Sequence, residues 1–133
     1  MKKVIFACVH GAGRSQMAAA FFNGLVAPEK AQAVAAGTRP AARVHPEVVA
    51  AMADVGIDLA AASPRLLTRD LAAGAAVLVT LGCGEECPVV PGAQREDWPL
   101  PDPKGQPPEA VEAVRDAIRE HVEALLEARG WRR

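Results

Sequence analysis

The chain has 133 residues, half of them hydrophobic, with 15 Lys and Arg against 16 Asp and Glu for a formal charge of −1. That length suits one domain, residues 1–133, with a core that needs no disulfide staples, and the near-neutral charge carries neither a nucleic-acid footprint nor a basic membrane-binding face. The apolar run after Met1-Lys2-Lys3 is too short for a signal peptide or a membrane span, so the expectation is a cytoplasmic protein that handles a small molecule or a protein partner.

In chain order, residues 4–7 read as a strand ending at Cys8 and a glycine-rich turn. Residues 15–26 follow as a helix with Met17, Phe21, Phe22 and Leu25 along it. Residues 31–36 form a weaker strand candidate closed by Gly37. His45-Pro46 opens a helix over 47–55, whose Val48, Val49, Met52 and Val55 share a face and whose end is marked by Gly56. Ser63-Pro64 reads as the cap and first turn of a short helix reaching about Leu71. Residues 75–81 have the composition of a strand buried on both faces, and residues 96–100 that of a short edge strand. Pro108 begins a long helix carrying Val111, Val114, Ile118, Val122, Leu125 and Leu126 at three- and four-residue spacing, stopped by Gly130. Strands alternating with helices imply an α/β fold, an open parallel four-stranded sheet covered on both sides. In such sheets ligands bind beyond the carboxyl ends of the strands, where Cys8 and Cys83 fall.

Three cysteines without an export signal argue against a structural disulfide framework and leave metal binding, redox chemistry or catalysis. Cys8 ends a strand and precedes a turn into a helix. Converging backbone N–H groups and the positive end of the helix dipole there bind a tetrahedral oxyanion and stabilise a thiolate. In Cys8-Val9-His10-Gly11-Ala12-Gly13-Arg14-Ser15, the two glycines are expected to supply positive φ and close backbone approach. Arg14 offers a planar fork to two oxygens, and Ser15 a hydrogen bond to the sulfur. A dinucleotide fingerprint would need glycine where Gln16 stands, and a Walker-type loop would need lysine where Arg14 stands. A buried structural cysteine would explain Cys8 but not Arg14 or the glycines. Cys83 and Cys87, with His10, His45 and His121 scattered, make no paired zinc motif, so no metal and no organic cofactor is expected.

The run from Cys8 to Ala18 resembles the low-molecular-weight tyrosine phosphatases and, more closely, the arsenate reductases built on their fold. Gly56-Ile57-Asp58, Thr80-Leu81-Gly82-Cys83-Gly84, Cys87-Pro88, Asp97-Trp98 and Asp102-Pro103 extend the resemblance over nearly the whole chain. It implies a low-molecular-weight phosphatase-like fold in which Cys8 is the nucleophile and Val9, His10, Gly11, Ala12, Gly13 and Arg14 hold the oxyanion. Asp102 is then the general acid for the leaving oxygen. It also implies a relay in which Cys83 attacks Cys8 and Cys87 takes over the disulfide for thioredoxin. The Gly-Cys-Gly-x-x-Cys-Pro run points alternatively to a low-molecular-weight thiol as reductant.

The chain departs from the family at the fourth loop position, usually asparagine, where Gly11 keeps the backbone freedom but forgoes the side-chain hydrogen bonds on which loop rigidity and any bound cation would draw. The competing activity is a phosphatase acting on phosphotyrosine or aryl phosphates with the same loop and acid. Against it, the chain has no tyrosine, and Lys104 follows Asp102-Pro103 where phosphatases place one. A noncatalytic anion-binding or thiol-sensing module is the third alternative. Glu85 and Glu86 read as a solvated loop face, Trp98 as core or edge packing, and His10 as pointing outward. His45 reads as sitting at a helix start, and His121 as surface.

Overall fold

The apolar start of the chain becomes the middle of the sheet. In the computed structural model, which describes residues 1–82 and 90–133, β1 (Lys2–Cys8) lies between β2 (Ala31–Gly37) and β3 (Ala75–Thr80). The strand β4 (Gln94–Asp97) is outside β3. All three pairings are parallel. The chain leaves β1 to one side for β2 and crosses back to the other for β3, so the sheet changes direction at β1. The crevice that such a reversal opens lies at the carboxyl end of that strand, at Cys8.

Side chains on β1 alternate between two unequal cores. Val4 and Phe6 face the larger one, with Met17 and Phe22 of α1 (Arg14–Leu25), Met52 of α2 (Pro46–Ala53) and Ile118 and Val122 of α4 (Pro108–Arg129). Ile5 and Ala7 face a thinner layer built with Ala36, Ala75 and Leu78 and closed by Leu67, Leu71, Val90 and Ala93. The sheet is therefore covered on both sides, but the long helices share one side. Among the described residues the other carries the single-turn α3 (Arg69–Ala72) and extended segments. The six apolar positions of α4 that the sequence puts on one face are all buried, and Gly130 ends the helix at φ 67°.

Three expectations are corrected. The helix expected from Ser63 begins at Arg69, with Thr68 as cap, its Oγ1 accepting from the Leu71 N–H at 3.0 Å. Residues 64–67 are extended because they pair with the end of β2: Gly37 N–H donates to the Arg65 carbonyl and Leu67 N–H to the Gly37 carbonyl, both at 2.9 Å. That pairing outcompetes the local Ser-Pro signal. The edge strand expected over 96–100 runs instead over Gln94–Asp97; Pro99 and Pro101, which have no N–H to donate, lie beyond it. Val55, placed on the apolar face of α2, is 36% exposed because the helix stops at Ala53 and the 3.6-residue period no longer governs it. Gly56 does close that helix, at φ 81°, with Ile57 N–H returning to the Met52 carbonyl at 2.9 Å. The expectations placed on Cys83, Glu85, Glu86 and Cys87 lie outside the described residues. No helix among the described residues is long and apolar enough to cross a membrane.

Candidate active site

Cys8 is the last residue of β1 and is 2% exposed. Its Sγ lies 3.0 Å from Ser15 Oγ, donating as a thiol; on deprotonation the hydroxyl becomes the donor to the sulfur. Between these residues the chain turns through Gly13, the N-cap of α1.

The carbonyls of that turn are all engaged. Those of Cys8, Val9 and His10 accept from the N–H groups of Thr38, Arg39 and Ala41 at 3.2, 2.8 and 2.9 Å. Gly11 accepts from Gln16 Nε2 at 2.9 Å, Ala12 from the His45 N–H at 3.0 Å, and Gly13 from the Met17 N–H at 3.1 Å. Six consecutive acceptors, four held by residues 38–45 and two by the start of α1, fix the turn more firmly than its own sequence would. Gln16, noted in the sequence only as not being glycine, is one of the residues that hold it. Its position one turn into the helix is the signal that was there to be read.

Gly11 has φ 58°, as expected for the asparagine-or-glycine position. A second constraint was not visible in sequence: a Cβ on Gly11 would stand 2.9 Å from the Gly37 nitrogen. Gly13 differs from expectation, with φ −130°. A Cβ there would meet His45 Cδ2 at 3.4 Å and Pro103 Cγ at 3.5 Å. Gly37, read only as the end of a strand, backs onto Gly11 so closely that an added Cβ would overlap the Gly11 nitrogen and stand 2.7 Å from the His10 carbonyl carbon. Gly37→Ala is therefore expected to push the turn out of shape, since backbone against backbone leaves no rotamer to relieve it. We expect phosphate binding, measured by calorimetry, to weaken about tenfold or more, in line with overpacking costs of roughly 1–3 kcal/mol. Wild-type affinity in this variant would refute that account.

Arg14 is buried, and its Nη1 donates to the Leu100 carbonyl at 2.9 Å. Its Nη2 lies 3.9 Å from Asp102 Oδ2. Gly82, at φ 99°, leaves the space that the guanidinium occupies: a Cβ there would overlap Nη1. Asp102 is about half exposed, and its Oδ1 accepts from the Lys104 N–H at 3.0 Å, a local turn that sets the carboxyl above Pro103. The fold thus brings Cys8, Ser15, Arg14 and Asp102 to one end of the sheet.

His45 caps α2 without a side-chain cap bond and is buried against this site, its ring 5.8 Å from that of His10 and roughly perpendicular to it. Burial pushes its pKa below the usual histidine value, partly opposed by the carboxylates of Glu47 and Asp102. Trp98 packs on Phe6 at 5.6 Å between centroids, so the core assignment holds, while exposed His121 stacks on its outer face at 5.0 Å. Thr80 Oγ1 donates to Asp97, tying the ends of β3 and β4 together, and this hydrogen bond holds the Asp97 carboxyl below its ordinary range.

Comparison with known proteins places this fold in a family. Residues 3–130 match the low molecular weight phosphotyrosine protein phosphatase family. The chain belongs to that family. Among its relatives, a glutaredoxin arsenate reductase of Synechocystis is 38% identical over 95% of this chain and 97% of its own. A solved structure described as an arsenate reductase in the phosphate binding state superposes with a TM-score of 0.83 at 35% identity, over 96% of this chain and 98% of that one. The thioredoxin-dependent arsenate reductase of Corynebacterium glutamicum gives 0.81 at 29% identity; the match covers 96% of this chain but only 61% of that longer one.

Proposed function

We propose that the chain reduces arsenate to arsenite. The observation that carries this reading is the turn after Cys8: its carbonyls are engaged on the outside, which leaves its N–H edge, the α1 N-terminus and Arg14 to receive a tetrahedral anion over the sulfur. The arsenate reductase names of the relatives favour arsenic over a phosphate ester, as does the absence of any tyrosine to wall an aryl group.

In the proposed cycle the Cys8 thiolate attacks arsenic and forms an S–As bond. One oxygen leaves as water, with Asp102 supplying a proton. A second thiolate, Cys83, then attacks Cys8 Sγ. The electron pair of the S–As bond stays with arsenic, which leaves as arsenite, and a Cys8–Cys83 disulfide remains. Cys87 attacks Cys83 in turn, frees Cys8, and presents a Cys83–Cys87 disulfide to a dithiol reductant such as thioredoxin. Such a cycle needs a reducing compartment, in keeping with a cytoplasmic location.

A second reading concerns the reductant alone. The name of the Synechocystis relative supports a low-molecular-weight thiol with glutaredoxin in place of thioredoxin. Steady-state arsenate reduction with purified thioredoxin and its reductase, compared with glutathione, glutaredoxin and glutathione reductase, decides between them. The proposal expects repeated arsenite release with at least one of the two systems, and weak hydrolysis of aryl phosphates by the same site. Binding of arsenate without turnover in either system would make the chain a sensor rather than an enzyme.

A further inference from the structure

We propose that His45 is a positioning residue that joins the oxyanion turn to the loop carrying the general acid. The proposal rests on the assignment of Asp102 as acid. Three contacts place it. The backbone N–H of His45 holds the Ala12 carbonyl at 3.0 Å. Its ring and the ring of Pro103 meet over the same α-carbon, Gly13, where a Cβ would lie 3.4 Å from one and 3.5 Å from the other. On its other side the ring meets His10, which belongs to the turn itself. His45 is thus wedged between the turn that would hold the oxyanion and the residue next to Asp102, and it is 8% exposed.

The charges that reach this ring come from each neighbouring segment. Glu47 lies on its own helix, Asp102 and Lys104 on the acid loop, and His10 on the oxyanion turn. Arg39 and Arg43, on the segment leading to His45, are exposed. Burial opposes protonation more strongly than any of these charges acts on it. The His45 ring and the Pro103 ring both border Gly13, so the imidazole sits beside the loop that carries Asp102.

Two measurements test this. The first compares hydrolysis of phenyl phosphate, whose leaving group needs a proton, with that of dinitrophenyl phosphate, whose leaving group does not. For His45→Asn and His45→Phe the proposal expects kcat/KM for phenyl phosphate to fall roughly tenfold. The dinitrophenyl ester should change about twofold or less. Equal losses on both esters would overturn it, because a residue that merely holds the fold would affect the two alike.

The second follows the His45 imidazole resonances by NMR in the wild type and in Asp102→Asn, and needs no turnover at all. A wild-type midpoint below 6.5 that drops further without the Asp102 charge is expected. An identical midpoint in both proteins would overturn the coupling. If arsenate is not reduced while both results hold, the choice of substrate fails and the role of His45 stands.

Discussion

Cys8→Ser is expected to abolish arsenate reduction and aryl phosphate hydrolysis together, each by a thousandfold or more on the order of what removing a nucleophile costs elsewhere. The change is nearly isosteric and Cys8 sits between two neighbouring strands, so the fold should survive; phosphate affinity and the unfolding temperature serve as controls. A hydroxyl in the same place remains a poor nucleophile at neutral pH, because the features that favour a thiolate do not bring an alcohol near ionisation. Cys83→Ser and Cys87→Ser should separate the two activities. In the proposed cycle neither residue takes part in ester hydrolysis, so phosphatase turnover should stay within about twofold, while multiple-turnover arsenate reduction is lost in both. In Cys83→Ser arsenate should still form an adduct on Cys8, detectable by mass, without arsenite release. Normal arsenate turnover by Cys87→Ser would replace the three-thiol relay with a scheme in which an external thiol completes the cycle.

Arg14→Lys is expected to lower kcat/KM for either substrate about 10²- to 10³-fold, the usual cost of removing an oxyanion-stabilising donor. Lysine keeps the charge and loses the fork. Arg14 also acts as a strut: Nη1 holds the Leu100 carbonyl, two residues before Asp102, and Nη2 lies beside the Asp102 carboxyl. A lysine ammonium offers one compact donor group where the guanidinium spans two partners, so the acid loop should lose its tether as the anion loses its clamp. Gly82→Ala gives the matching experiment from the other side. Its methyl would take the space of Nη1, and the loss should resemble that of Arg14→Lys although no reacting group is altered. Full activity in Gly82→Ala would mean that Arg14 leaves this position when an anion binds.

Much of the scaffold was legible because it rests on local pattern. The three- and four-residue spacing of Val111 through Leu126 fixes α4, and the apolar runs mark β1 and β3. Glycines 56 and 130 mark helix ends through a positive φ that few other residues accept. What sequence missed depends on partners distant in the chain. Residues 64–67 look like a helix start until Gly37 pairs with them. Gly37 and Gly82 look like ordinary strand ends until Gly11 and Arg14 are set against them. Resemblance supplied Asp102, but only the fold places it beside Arg14. His45 was read correctly as a helix start and its burial against the turn was not, since the signal lay in how residues 38–45 run alongside residues 8–12.

The placement of Cys8 in the central strand also governs which reagents reach it. Cys8, 2% exposed at the end of a strand paired on both sides, cannot move out to meet a partner. Any thiol that completes the cycle has to be delivered to it. The site should accordingly sort electrophiles by girth: iodoacetate, small and anionic, should alkylate Cys8 far faster than a bulky neutral maleimide. Saturating phosphate should shield it from both.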